Sequence, residues 1–511
     1  MRTSMLLIIG VWAFNPLTGL ADEAPVRIPA GQAQLFVDDE LIATQDQLER
    51  TLHTPIKDQG GNVPVLEAPE GTTYIAYGSI VYDRKLEKYV MLFFERGKVP
   101  AGRLCRYVSR DGLQWENSSP EERERLGFNV SVEPEAGHEG RKGFDLFSFY
   151  YDAKDPKAPY KGWIYLANYG LDREGVYYTW SPDGISWEVG AQVVNAYAGE
   201  GDTSCVRIRQ DGKTVWGPGD VTLMAPDPET GTFVGLFKFY DPRKGVSNGL
   251  RSRTYLRLNR LDEPVDLKRF EHIELLPPLM DTGADTRHDE YYASTAWRYG
   301  PLWLGELKVI HFEGDYPWSK AGAAFMKLLV SRDGVRWKKV PFRNEWGYPE
   351  VFIPNGIEGG NHGRNDGGYM SMFSQGPLRI GDELVFYYSS TSWGRSVLPA
   401  SQRVKGGGIF RARLRPDGFV SVSGGTLTTR PLACEGNELY VNGVGPIEVA
   451  VLDAEERVLG EAAIEGDSLK HRVRFGGKSL GQLVAGGAIR LRFKVGSYGR
   501  LYSFTVGDEG Q

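Results

Sequence analysis

The chain has 511 residues, which allows two or three domains, and 12% of them are aromatic. Its formal net charge is −6, with acidic and basic residues mixed along the chain, and this balance does not favour nucleic-acid binding. The cysteines, Cys105, Cys205 and Cys434, are too few and too scattered to predict a disulfide framework, so buried free thiols are favoured over a Cys105–Cys205 bridge.

The first residues have the features of a secretory signal. Arg2 is followed by an apolar run from Met5 to Phe14 and by small residues that end at Ala21. The run is too short to span a membrane, and no other segment approaches the required length of about 20 apolar residues. We therefore expect a signal peptide at residues 1–21 and a soluble protein that is secreted or periplasmic.

A seven-residue turn motif, Ser-x-Asp-Gly-x-x-Trp, occurs three times, beginning at Ser109, Ser181 and Ser331. Each copy follows a strand-like run. An Asp-Gly pair between two extended runs predicts a tight hairpin, because Gly accepts positive φ and Asp bonds its own backbone. The Trp is large enough to fill a seam between neighbouring sheets. The spacings of 72 and 150 residues predict modules of about 75 residues, one of which has lost the motif.

Five such modules fit the chain and predict an all-β fold, a five-bladed β-propeller. Their runs are aromatic and β-branched, and no long segment has a helical apolar period. We place the propeller at residues 22–424. The predicted blades are 51–115, 116–190, 191–280, 281–345 and 346–424. A strand at Gln34–Ile42 is expected to complete the last blade and close the ring.

The segment 425–511 differs from the modules. It opens with a linker-like stretch that ends at Pro431, and short alternating strands follow, which predict a C-terminal β-sandwich. We expect this domain to brace the propeller. An accessory carbohydrate-binding role is the alternative.

Acidic residues recur where the inner strands of the modules begin. They are Asp145, Asp220, Glu290 and Asp366, whereas the first module has Ala76 at the aligned position. Because inner strands of a propeller converge on its centre, we expect the four acids to face one central pocket. Loop capping or binding of a structural cation is the alternative for each of them.

Several carboxyl groups in one pocket favour glycoside hydrolysis, which needs one protonated and one ionised group. We predict Asp220 as the base or nucleophile. Glu290 is predicted as the general acid, because a negative charge on the adjacent Asp289 would raise its pKa. Asp145 and Asp366 complete the predicted catalytic set, and Asp202 is the replacement candidate in the third module.

Nine further residues are predicted to contact substrate. They are His53, Glu70, Arg141, Asp202, Arg287, His288, Asp289, His362 and Arg364. Three of the four acids have an Arg shortly upstream, and guanidinium groups bind sulfate and carboxylate in pairs of hydrogen bonds, so we expect an anionic glycan to bind better than a neutral one. The histidine spacing matches no zinc signature, so we predict no metal or other cofactor, with calcium in the central channel as an open alternative.

Several segments carry a family resemblance. They are Leu35–Asp39 with Leu41 and Ile42, His53–Lys57, the three turn motifs, Gly219–Asp220 with Asp227–Pro228, Gly381–Leu384 with Phe386–Tyr388, and Gly425–Pro431. In these the chain resembles the five-bladed propeller glycoside hydrolases of families 32 and 43, above all their secreted family 32 N-terminal-domain-like relatives. The resemblance implies the fold and a glycosidase activity. The invertase-type Asn-Asp-Pro-Asn-Gly, Arg-Asp-Pro and Glu-Cys motifs are absent, so the family's catalytic residues do not transfer.

The sequence therefore predicts a secreted glycoside hydrolase that cleaves a plant or algal oligo- or polysaccharide, with neither nucleic acid nor a membrane as partner. One alternative is a polysaccharide lyase, which would use a Tyr or His base. The other is a non-catalytic carbohydrate-binding propeller, which the missing acid of the first module favours.

Overall fold

The computed structural model describes residues 24–97, 102–139, 143–170, 172–195, 206–210, 213–241, 250–272, 275–276, 283–312, 322–394, 407–484 and 486–508. The helices within these ranges are short: α1 (Pro120–Arg125), α2 (Gly360–Gly363), α3 (Leu480–Leu483) and two 3₁₀ segments at Asp58–Gly61 and Leu267–His272. None of them is long and apolar enough to cross a membrane. The predicted signal peptide lies outside the described residues.

Strands make up most of the described chain. The first six are short: β1 (Val26–Ile28), β2 (Gln34–Leu35), β3 (Ile42–Asp46), β4 (Glu49–Leu52), β5 (Ile56–Lys57) and β6 (Leu66–Glu67). Blade one then consists of β7 (Thr73–Asp83), β8 (Lys88–Arg96), β9 (Arg103–Ser109) and β10 (Glu116–Asn117). Blade two consists of β11 (Gly127–Asn129), β12 (Gly143–Tyr151), β13 (Tyr160–Ala167), β14 (Gly175–Ser181) and β15 (Ser186–Asn195).

The next three blades follow in chain order. Blade three has β16 (Val206–Gln210), β17 (Lys213–Gly217), β18 (Leu223–Pro226), β19 (Phe233–Asp241) and β20 (Leu250–Leu258). Blade four has β21 (Asp289–Ser294), β22 (Trp297–Tyr299), β23 (Leu302–Phe312), β24 (Gly322–Ser331), β25 (Lys338–Lys339) and β26 (Val351–Ile353). Blade five has β27 (Ser371–Met372), β28 (Leu378–Ile380), β29 (Glu383–Ser390) and β30 (Gly408–Leu414), with β5 and β6 paired to β30.

Contacts between successive sheets close a ring. Strand β7 touches β12, β12 touches β18, β20 touches β21, β23 touches β27, and β27 returns to β7. Within the described residues five sheets therefore surround one axis. The predicted all-β fold, a five-bladed propeller with a C-terminal β-sandwich, is confirmed.

The sandwich has two sheets and its own apolar core. One sheet contains β2, β4, β31 (Val420–Ser423), β34 (Glu438–Val444), β37 (Asp467–Val473) and β39 (Arg500–Gly507). The other contains β3, β32 (Gly425–Thr429), β35 (Ile447–Leu452), β36 (Val458–Ile464) and β38 (Arg490–Val495). Strand β1 pairs in parallel with β33 (Leu432–Cys434).

The prediction that a strand at Gln34–Ile42 closes the ring is wrong. Strands β2 and β3, within and just after the predicted Gln34–Ile42, pair with sandwich strands β39 and β32. The ring is closed by Ile56–Lys57 and Leu66–Glu67, which pair with β30. Along the N-terminal segment, strands thus pair first with the sandwich and then with blade five. The sheet of blade one therefore begins at Thr73 rather than at residue 51. An apolar run such as Leu35–Val37 does not reveal which of two sheets it will join.

The three repeated turns form as predicted. In the third copy, Ser331 Oγ accepts the Gly334 N–H at 2.9 Å. Asp333 Oδ1 accepts the N–H groups of Val335 at 2.9 Å and of Arg336 at 2.8 Å. Gly334 has a φ of 73°, the conformation that glycine adopts without strain. Trp337 then stacks on Tyr255 of blade three, with ring centroids 5.0 Å apart. The motif therefore builds a hairpin and fills a seam between blades.

Blade four contains a buried cluster of alternating charges. Lys327 Nζ lies 2.8 Å from carboxylate oxygens of both Asp285 and Glu350. Lys339 also binds Asp285 and lies 3.3 Å from Glu350. Tyr291 donates its hydroxyl to Asp285 at 2.7 Å. All four charged side chains are buried, so each charge depends on the others for stabilisation.

Candidate active site

Asp220 lies where the inner strand of blade three is interrupted, between β17 and β18. Its carboxylate is bound by the ammonium of Lys238, which comes from the adjacent strand β19. The Lys238 side chain is buried, whereas that of Asp220 is 36% exposed. A Cβ atom at Gly219 would lie 2.2 Å from Lys238 Cε, so Gly219 leaves the space through which the lysine side chain passes. Asp220 is thus an accessible carboxylate fixed by a buried cation.

Glu290 begins the inner strand of blade four, close to the N-terminus of β21. Its side chain is buried and is bound by the guanidinium of Arg251 on β20 of blade three. The Arg251 guanidinium also lies 4.8 Å from the ring centroid of Tyr292. Glu290 therefore connects the two blades through a charge-assisted hydrogen bond beside an aromatic ring.

The two acid–cation pairs lie on one face of blade three. Lys238 is directly opposite Arg253 in the β19–β20 ladder, and Arg251 precedes Arg253 by two residues. Residues that are opposite or two apart point to the same face of a sheet. Arg253 contacts blade four through Ser294 Oγ at 3.2 Å, and complete burial lowers its pKa to about 10. The face that holds Asp220 and Glu290 is therefore the one that packs against blade four.

Lys308 on β23 extends this polar region towards blades one and five. Its buried ammonium donates to Tyr77 Oη at 2.9 Å and to Ser371 Oγ at 2.8 Å, and it lies 3.3 Å from the ring centroid of Tyr369. The Tyr292 ring centroid is 5.0 Å away. Lys308 thus joins three blades next to the Arg251–Tyr292 contact.

A histidine that the sequence did not single out, His311, lies near the end of β23, opposite the first residue of β21. His311 Nδ1 is 2.9 Å from Asp289 Oδ1, and Asp289 also accepts the Thr286 N–H at 2.6 Å. The His311 side chain is 47% exposed, and its ring centroid is 6.0 Å from that of His288. Arg287, exposed, donates to His288. The structure therefore brings the predicted Arg287, His288 and Asp289 together around an imidazole oriented by a carboxylate.

Asp366 does not face the same region. It is fully buried in blade five, where its Oδ2 lies 2.5 Å from Lys57 Nζ and 2.8 Å from the Tyr388 hydroxyl. Burial lowers the pKa of Lys57. Cβ atoms at Gly61 or Gly356 would lie within 2.7 Å of the Asp366 carboxylate, so two loops cover it. Asp366 is therefore enclosed by loops within blade five, and its position in a central pocket remains a prediction.

His53 lies at the junction of the propeller with the sandwich. Its Nδ1 is 2.7 Å from Glu345 Oε1 of blade four, and its Nε2 is 2.8 Å from Ser421 Oγ on β31. The His53 ring also lies beside the sandwich residue Tyr502. His53 is buried and bonded at both ring nitrogens, and it bridges the propeller and the sandwich.

The other predicted residues whose side chains the structure describes are Arg364, His362 and Glu70. Arg364 pairs at 2.8 Å with Glu67 rather than with an acid of the set, and His362 and Glu70 are exposed. Asp145 is a residue of β12 at a register shift, and its side chain lies outside the description, as do Arg141 and Asp202. In the described part of the chain, no group of three His, Cys, Asp or Glu side chains is placed to hold a metal ion.

Glu306 is a second titratable residue that sequence reasoning missed. It lies on β23 beside Phe373 and Gln375 in a small internal cavity. Burial raises the pKa of Glu306 to about 8. Between its ordinary pKa and this value the folded protein binds more protons than the unfolded chain, so folding stability falls as the pH rises from about 4.5 to 8.

Substitution Glu306→Gln is expected to remove this part of the pH dependence. The free energy of unfolding of the variant, measured by urea denaturation, should fall less steeply than that of the wild type between pH 5 and 8, by at most about 1.4 kcal/mol per pH unit. Glu70→Gln, at an exposed turn, is the control and should keep the wild-type slope. A variant at position 306 with an unchanged slope would show that Glu306 ionises freely in the folded protein.

Comparisons with known proteins identify solved structures alone. No family profile and no curated protein matches the chain. It resembles a thermostable family-43 glycoside hydrolase, with 10% identity, coverage of 70% of this chain and 95% of that one, and a TM-score of 0.39. It also resembles a structure from the GH130 mannoside phosphorylases, a family that contains glycoside hydrolases targeting β-1,2-mannosidic linkages in Candida mannan. The identity is 13%, the coverage is 72% of this chain and 95% of that one, and the TM-score is 0.39. A third similar structure is an N-acetylgalactosamine deacetylase from F. plautii, with 15% identity, coverage of 76% of this chain and 96% of that one, and a TM-score of 0.37. At these scores no residue or substrate transfers to this chain.

Proposed function

We propose that the protein hydrolyses glycosidic bonds of an oligo- or polysaccharide where blades three and four meet. The observation that carries the proposal is the binding of two acids by neighbouring cations, Asp220 by Lys238 and Glu290 by Arg251. These cations are diagonal neighbours across β19 and β20, and Cα atoms in that relation are about 7–8 Å apart. Glycosidases cleave with two carboxyl groups about 5–9.5 Å apart, and this is the separation that the proposal requires of Asp220 and Glu290.

Asp220 and Glu290 are the proposed catalytic carboxyl groups. Asp220 retains access to solvent and suits the role of base or nucleophile. The reason for naming Glu290 as proton donor does not hold, because the Asp289 carboxylate is turned to His311 and Thr286 while Glu290 is turned to Arg251. The proposal therefore keeps both acids in the pair and leaves the proton donor unassigned. Secretion, suggested by residues 1–21, is part of the same proposal.

A polysaccharide lyase is the second candidate, and one observation favours it. Asp289 orients the half-exposed imidazole of His311, as a carboxylate orients the base of a catalytic triad. Arg287 is exposed two residues before Asp289 and would suit the carboxylate of a uronic acid. In such a lyase His311 would remove the proton next to the carboxylate.

Activity on a panel of soluble polysaccharides tests these functions together. We expect new reducing ends from at least one of arabinan, galactan, mannan, fructan and alginate, without ultraviolet absorbance from unsaturated products. Reducing ends accompanied by that absorbance would identify a lyase, with His311 rather than Asp220 as the catalytic residue to test. Binding to one of the polymers without any cleavage would identify a carbohydrate-binding propeller and contradict both enzymatic functions.

A further inference from the structure

A loop between the outer strands of blade four exposes two large aromatic side chains. It lies between β25 and β26, and its ends pair at Arg343 and Pro349. Trp346 is 62% exposed and Tyr348 is 58% exposed. Large aromatic groups of soluble proteins are mostly buried, and neighbouring exposed ones mark a surface that interacts with something else.

Hydrogen bonds fix this loop. Asn344 Oδ1 accepts the N–H groups of Trp346 at 3.1 Å and of Tyr348 at 3.0 Å. The Arg343 guanidinium donates to the Gly347 carbonyl at 2.6 Å, and Gly347 has a φ of 82°. The backbone that carries the two rings is therefore ordered before any ligand arrives, which lowers the entropy lost on binding.

The size and surroundings of the aromatic pair favour a small, amphipathic ligand. A stable protein interface covers about 800 Å² on each partner and involves roughly 20–30 residues a side, far more than two side chains provide. The neighbours of Trp346 include the partly exposed Glu345 carboxylate and the exposed Arg343. A sugar ring has an apolar face that can stack on an aromatic ring and hydroxyl groups that can bond charged groups at its edge.

We propose that Trp346 and Tyr348 form a second, non-catalytic binding site for a saccharide chain. The choice of a saccharide rests on the proposed function, whereas the existence of a binding site rests on the loop itself. The loop joins outer strands, and Asp220 and Glu290 lie on inner ones, so a polymer held here would be retained without occupying the catalytic carboxyl groups.

Native electrophoresis in gels that contain arabinan, galactan, mannan, fructan or alginate tests the site. We expect at least one polymer to retard the wild type, and the double variant Trp346→Ala/Tyr348→Ala to lose at least half of that retardation. Tyr498→Ala removes a 92% exposed aromatic ring from the sandwich and should migrate like the wild type.

The outcomes distinguish this site from the proposed enzyme. Equal retardation of the wild type and the double variant, or no retardation by any polymer, would overturn the second site even if short oligosaccharides are hydrolysed. Retardation that depends on Trp346 without hydrolysis would support the site and contradict the enzyme. Sedimentation that shows the wild type self-associating and the double variant monomeric would make a second copy of the chain the occupant, and would also overturn the proposal.

Discussion

Substitution Asp220→Asn is expected to lower the rate of glycoside hydrolysis by about 10²- to 10⁴-fold, the usual loss when a general acid or base is removed. Asparagine keeps the size of the side chain and can still accept a hydrogen bond from Lys238, so the variant should fold. The rate constant kcat on the most active polymer of the panel is the measurement. Glu290→Gln is expected to lose activity to a similar degree.

Asp262→Asn is the matched control for Asp220. Asp262 lies in the same blade and also pairs with a cation, Arg260, but both side chains are largely exposed, with 39% and 59% of their surface accessible. This variant should retain wild-type kcat. If Asp220→Asn and Glu290→Gln both keep wild-type kcat while folded, the assignment of the catalytic carboxyl groups is wrong.

Substitution Asp285→Asn is expected to destabilise the protein by about 3–5 kcal/mol, because it leaves two buried ammonium groups with one carboxylate between them. The affected lysines are Lys327 and Lys339, and burial already lowers the pKa of Lys339. The free energy of unfolding, measured by urea denaturation, gives the effect. Asp382→Asn, at an exposed pair with Arg379, should change it by less than about 1 kcal/mol.

A double variant keeps this prediction testable if Asp285→Asn does not fold. Asp285→Asn/Lys339→Met removes one charge of each sign and leaves the pair of Lys327 with Glu350. We expect it to be more stable than Asp285→Asn alone. A double variant that is no more stable than the single one would show that the cluster is not held together by charge balance.

The fold could be predicted because its signals are local. The turns at Ser109, Ser181 and Ser331 each depend on a hydrogen-bonding Ser, an Asp that bonds the following backbone and a Gly with positive φ, all within four residues. Their spacing counts the blades. The strand that closes the ring was placed wrongly because pairing of Ile56–Lys57 with β30 depends on contacts more than 300 residues apart, which no local pattern records.

For a related reason, the sequence places the predicted acids along the chain but not in space. Acids at the starts of inner strands are visible in the sequence, but the direction of each side chain is not. Glu290 meets Arg251 between blades, whereas Asp366 is enclosed by loops within blade five. The cations could have been noticed as lysines within largely apolar strands, as with Lys238 in Phe233–Asp241 and Lys308 in Leu302–Phe312. Their partners depend on the packing of blades.

The most direct test is a crystal structure of Asp220→Asn with an oligosaccharide of the polymer that the wild type cleaves. The central claim is that cleavage takes place between blades three and four, at the face that carries Lys238 and Arg251. We expect the glycosidic oxygen of the bound chain to lie between position 220 and the Glu290 carboxyl group, within hydrogen-bond reach of one of them. A chain bound at His311 without contact to either position, or one bound solely at Trp346 and Tyr348, would contradict the claim.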